Sequence, residues 1–145
     1  MASAVLDVFN FLIAQNLVGG TTGWAILRRR LMDAPVGDKL VIVGEDGGNP
    51  PEMPATGGIG SAVLADKGVL VTVRAAAADS DASFQKASDI LVALHGLRGA
   101  TLVSGGELYF GVRALTPEPV FAGFDDRGRP LHTVAFRLLG DAANL

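Results

Sequence analysis

The chain has 145 residues, enough for one domain with a single core and little room for a second. Its 15 acidic and 12 basic residues give a net charge of -3, and no segment is more basic than Arg28, Arg29 and Arg30, which argues against strong binding of phosphate backbones by a single subunit. Cysteine is absent, so disulfides, thiolate catalysis and cysteine-ligated zinc or iron–sulfur centres are excluded.

Apolar residues make up 49% of the chain and charged ones 19%, and the mean hydropathy is +0.37. The usual charged share is about 25%. So apolar a small body points to a surface partly covered by other subunits. The stretch from Ala2 to Val18 carries no basic region ahead of its apolar run, and Asp7, Asn10 and Gln15 interrupt it before a membrane-spanning length. It reads as a mature amphipathic helix, with no targeting or membrane segment.

That first helix runs from Ser3, a suitable cap, to about Asn16, with Val5, Leu6, Phe9, Leu12 and Ile13 at helical spacing. Val8 and Phe11 widen the apolar stripe, and Gly19 and Gly20 stop it. Thr21 to Leu31, with the only tryptophan at Trp24, reads as a connector that is either a short helix or irregular, closed by a turn at Asp33-Ala34-Pro35. Lys39 to Val43 is a short β-branched run and predicts a buried strand.

From Gly44 to Gly60 glycine and proline dominate, which predicts a long loop, either ordering against a partner or moving in solvent. A strand follows at Gly68 to Arg74, then a capping cluster at Asp79-Ser80-Asp81 and a helix to about Leu94 or Leu97. Phe84, Ala87, Ile90, Leu91, Leu94 and Leu97 form its broad apolar side, Lys86 and Asp89 the opposite one, and Gly96 and Gly99 end it. Thr101 to Val103 and Leu108 to Leu115 make a hairpin about Gly105-Gly106, with Leu108, Phe110, Val112 and Ala114 inward and Tyr109 and Arg113 outward. Pro117 to Gly123 reads as a loop and Phe124 to Pro130 as a turn. The last strand, Leu131 to Leu139, sends Val134, Phe136 and Leu138 to the core. The expected fold is α+β: a mostly antiparallel sheet with two main helices packed on one face.

Catalytic chemistry finds few candidates. Of the two histidines, His95 ends a helix, where the dipole favours it, and His132 alternates with core positions of a strand. Glu45-Asp46 and Asp125-Asp126 are paired carboxylates beside glycine, without calcium-loop spacing. The glycines lack the following Lys-Ser or Lys-Thr of a phosphate loop. Arg28 to Arg30 could touch DNA or an acidic neighbour, although a solvated face is the simpler reading. The residues therefore predict no catalytic site, no metal and no cofactor.

Several of these motifs occur together in order. Leu31-Met-Asp-Ala-Pro35, the strand Leu40 to Val43 and Gly47-Gly48-Asn-Pro50-Pro51 come first. Val73-Arg74, Leu97-Arg98-Gly99 and Asp126-Arg-Gly-Arg129 before a final strand follow. In this order they resemble the small minor capsid or tail terminator proteins of long-tailed phages and gene transfer agents. The stretch Ala55 to Lys67 is longer than that pattern, and the strand after it lacks the glutamine common there. The resemblance implies a structural virion protein, not an enzyme. It would form a homo-hexameric ring that caps the tail tube and joins it to the head connector, located at the head–tail interface and in the host cytoplasm during assembly. Its partners would be copies of itself, the major tail tube protein and the connector or stopper protein, with no membrane and no specific nucleic acid, though the ring could line the DNA channel. Contacts are expected from Asp46, Gly47, Gly48, Pro50, Pro51, Glu52 and Pro54 in the long loop and from Asp125, Asp126, Arg127 and Arg129 in the late turn. Tyr109 and Arg113 would add to them from the outward sheet face. A stopper or tail completion subunit is the neighbouring alternative, and a small ligand-binding α+β domain the distant one.

Overall fold

A computed structural model describes residues 4–28, 37–52, 64–102 and 108–141, with the backbone alone at 47–52, 64–65, 100 and 141. The first helix, α1 (Ala4–Ala14), buries Val5, Val8, Phe11 and Leu12. Beyond it Asn16, Gly19 and Gly20 take positive φ of 56°, 73° and 53°, and the chain turns back so that the Gly19 amide donates to the Trp24 carbonyl at 2.7 Å. The helix ends ahead of the two glycines expected to stop it: Asn16 takes the left-handed backbone and the Leu17 amide donates to the Leu12 carbonyl at 3.1 Å, which closes the last turn.

The segment after Trp24 is a strand, β1 (Ala25–Arg28), and not the short helix or irregular connector the sequence suggested. It pairs in parallel with β2 (Leu40–Glu52), Ala25 facing Leu40 and Arg28 facing Val43. Trp24 is buried, and the ammonium groups of Lys39 and Lys86 lie 5.6 and 5.4 Å from its ring centroid. Lys86 also donates to the Leu17 carbonyl at 2.9 Å. Its stem therefore lies along the apolar surface and its charge caps the ring, rather than facing away as expected.

The expected long loop is overturned in its first half. Strand β2 continues through Gly44 to Glu52, antiparallel to β3 (Leu64–Arg74), with register shifts between Glu45 and Gly48 and between Asn49 and Glu52. Its outer edge carries no partner beyond Val43 among the described residues. Proline is tolerated there because an edge strand need not donate on its open side. Residues 53–63, including Pro54, lie outside the described residues, as do Arg29, Arg30, the Asp33 to Pro35 turn and the Gly105-Gly106 turn.

Helix α2 (Ser80–Leu94) starts where predicted, with Asp79 as cap accepting from the Ala82 amide. It buries Ser83, Ala87, Ile90 and Leu94, while Phe84 stays partly in water. Residues 96–99 then run beside β5 (Leu108–Ala114): the Gly96 amide donates to the Val112 carbonyl at 2.8 Å and the Val112 amide to the Leu97 carbonyl at 2.9 Å. The two-residue β4 (Ala100–Thr101) continues the row. What read as a loop before the late turn contains β6 (Val120–Phe124).

The last strand, β7 (Pro130–Asp141), is central. It pairs with β3 along its whole length on one side, and with β6 and then β5 on the other. The result is an α+β fold with a seven-stranded sheet, antiparallel except for β1 on β2, in the order β1-β2-β3-β7-β5-β4 with β6 alongside β7. Val41, Val43, Val69, Val71, Val73, Val134, Phe136 and Leu138 form one core cluster with the buried residues of both helices.

Strand β5 departs from simple alternation. Tyr109 faces Gly140 and Gly111 faces Leu139, so Phe110 is an extra residue and the strand bulges. The bulge reverses the phase: Leu108 and Phe110 face water, and Tyr109 is 1% exposed. Tyr109 is therefore a core residue and not the outward contact expected of it. Its hydroxyl donates to the Asp7 carboxylate at 2.6 Å, which gives a buried acid on α1 a partner.

Candidate interaction surface

At one end of the sheet the β6–β7 turn is fixed by a buried polar network. The Asp125 carboxylate accepts from the amides of Arg127 and Arg129, at 3.0 and 2.8 Å, and from the Arg129 guanidinium at 2.7 Å. Arg129 also meets Asp38 at 3.3 Å. Arg74, wholly buried at the end of β3, donates to the Gly37 and Asp38 carbonyls at 2.9 and 3.1 Å and approaches Asp125 to 4.0 Å. Burial alone would raise the Asp125 pKa. The hydrogen bonds from Arg129 and Arg127 and the Arg129 charge outweigh it and hold the carboxyl below its ordinary value. Of the expected contact residues in this turn, Asp126 and Arg127 are exposed, whereas Asp125 and Arg129 hold the turn in shape.

Near this turn lie exposed apolar side chains that the sequence reading missed. Phe124 is 62% exposed, and Val120, Phe121 and Leu115 are each between 44% and 49% exposed. The rings of Phe121 and Phe124 meet edge-on at 5.2 Å. No second strand covers the far edge of β6 among the described residues. Every apolar side chain of the strand is in water, so no alternation marked it.

Behind Phe121 sits His132, 6% exposed, with the Phe121 and Phe84 rings edge-on to it at 5.4 and 5.7 Å. Its Nδ1 is 2.6 Å from the Ser83 hydroxyl, which is also 3.0 Å from the Ser80 carbonyl. A proton on Nδ1 satisfies both bonds, with the ring donating to the hydroxyl and the hydroxyl to the carbonyl. Ser83 is completely buried, so the pair is a packing contact that no substrate reaches. Burial pushes the His132 pKa down. Its uncharged form thus adds stability that is full above about pH 6.5, the ordinary histidine value, and is lost as pH falls through the lowered folded value. Thermal melts between pH 7.5 and 5 are expected to show a falling melting point, with a shallower slope in His132→Gln. Equal slopes would exclude His132 as the cause.

The other end of the sheet carries the extended β2, where Glu45 and Asp46 are exposed. Gly47, Gly48, Pro50, Pro51 and Glu52 follow on the strand backbone. Because Asp46 lies level with Gly68 and Glu52 with Leu64, while β3 ends at Arg74 beside the turn, the two expected contact segments are separated along the strand by about 20 Å at Asp46 and about 33 Å at Glu52. They form two separate surfaces. Arg113 is exposed on β5, near the far border of the sheet. His95 caps α2 and its Nδ1 accepts from the Ala114 amide at 2.9 Å.

Among the described residues no cluster of three or more His, Asp or Glu is placed to hold a metal ion, and no helix is long and apolar enough to cross a membrane. The chain matches no protein-family model and no curated protein.

Proposed function

We propose that the protein is a ring-forming structural subunit of a long-tailed phage or gene transfer agent, a tail terminator that caps the tail tube and joins it to the head connector. The observation that carries this reading is the exposed edge-on pair Phe121 and Phe124, with Val120 exposed on the same strand. Exposed apolar clusters of this kind mark protein–protein contact sites. A second support is the unlikeness of the two ends, one apolar and one a strand edge that is open among the described residues. Head-to-tail contacts between unlike surfaces close into a ring when the rotation per subunit fits, and closure stops growth. The collinear motifs in the sequence resemble that family, whose function is assembly without catalysis.

Mass photometry of the protein with the tail tube protein of the same particle is expected to show a sixfold assembly. Phe124→Ser should shift it toward monomer with little change in melting point, since that ring lies mostly in water. A strict monomer in the presence of tube protein would overturn the reading.

A further inference from the structure

Three arginines gather on the side of the sheet away from β2, running from central β7 out to the border row. Arg98 lies on the border row beside β5, Arg113 on β5, and Arg137 on β7 directly opposite Arg113. With His95, Gly111 and Leu139 they line a shallow cleft of about 200 Å³ that no carboxylate lines. Like charges directly opposite each other across strands are unfavourable, so this arrangement lacks a counter-charge. One guanidinium nitrogen of Arg137 is shut off from solvent and has no hydrogen-bond partner. Asp66, across from Leu139 on β3, is not part of the cleft lining.

The sheet's register shows where a counter-charge is available. Arg113 pairs with Arg137, and Arg137 with Gly68. On β2 the residues level with Gly68 are the bulge between Glu45, paired with Val69, and Gly48, paired with Lys67. The exposed Asp46 sits in that bulge. One transverse row thus has a carboxylate on the β2 border, with Arg137 two, Arg113 three and the Arg98 row four strand spacings away, about 10, 14 and 19 Å. Arg113 and Arg98 are too far from Asp46 to meet it within one subunit. A second copy placed beside the first, border to border, brings them together at the same height.

We propose that Asp46 of one copy seats in the Arg98–Arg113–Arg137 cleft of the next, as the polar half of a head-to-tail interface. The inference rests on the ring reading above and names its charged contact. The overall charge of -3 makes a basic cleft complementary to the rest of the same chain.

The test uses the assembly formed with tube protein. Arg98→Glu/Arg113→Glu and, separately, Asp46→Lys are expected to raise the subunit concentration at half-dissociation about tenfold or more, because like charges then face each other. Combining the substitutions should restore most of the loss. Arg98 and Arg113 are exposed, and unchanged melting points verify the fold. Arg98→Gln/Arg113→Gln serves as a milder second variant. Wild-type rings with unperturbed charge variants, or a combination without rescue, overturn this inference and leave the ring reading intact. A monomeric wild type overturns both. Intact rings whose arginine variants lose binding to a labelled DNA duplex would give the cleft to nucleic acid and also overturn it.

Discussion

Replacing Asp125 with alanine is expected to cost about 3 kcal/mol of stability, toward the low end of the range for removing one partner of a buried ion pair. The carboxylate serves two backbone amides, the Arg129 guanidinium and, at 4.0 Å, the fully buried Arg74. Asp38 remains against Arg129 and limits the loss. For a chain of this length the melting point should fall by about 10 °C. Asp125→Asn, which keeps the acceptor oxygen and loses the charge, should fall between. Asp126→Ala in the same turn is exposed and should stay within about 0.5 kcal/mol of the parent. Equal melting points for the two alanine variants would show that the network does not hold the turn. Because the folded Asp125 pKa is lowered, its contribution is complete above the ordinary aspartate value of about 4 and disappears as pH falls through the folded value.

The second large effect belongs to Tyr109. Tyr109→Phe keeps the ring and removes the hydroxyl that donates to Asp7, leaving a carboxylate that is 2% exposed without that bond. The expected loss is about 2 kcal/mol, within the range for stranding a buried polar group. Asp7→Leu combined with Tyr109→Phe should recover part of it, because no orphan acceptor then remains. Chemical denaturation of the two single variants and the pair measures the coupling. Strict additivity would mean that the bond contributes nothing beyond its separate groups.

Where one physical signal dominated, the sequence was informative. Asp79 could be read as a cap because its side chain meets a helix amide locally, and Val134, Phe136 and Leu138 because β7 is regular across its pairing with β3. The α+β class follows from those elements. Three features were hidden for different reasons. Strand β1 is four residues long and depends on pairing with β2. The Gly-Pro composition of β2 beyond Val43 suits an open edge, so it resembles a loop. In β5 an inserted residue shifts the phase ahead of Gly111, so Leu108 and Phe110 face water and Tyr109 takes the core, while Val112 and Arg113 keep their expected sides.

The candidate surfaces were legible only in part. Arg113, Asp46, Asp126 and Arg127 are exposed, as contact residues must be, and Asp125 and Arg129 are spent inside the turn. The apolar strand β6 was missed because its surroundings, not its composition, expose it. The arginine cleft was missed because Arg98, Arg113 and Arg137 are distant in sequence and meet only through strand register.

Strand β7 joins the two halves of the sheet, yet all its partners precede it in the chain. A nascent polypeptide that has reached only residue 129 therefore has β3 and β5 with a gap between them. Completion must follow synthesis of the final strand, so acquisition of the native state is a late, long-range event and slow by the measure of loop closure. Ribosome-stalled chains ending before that strand should remain sensitive to protease, whereas those carrying it clear of the exit tunnel become resistant.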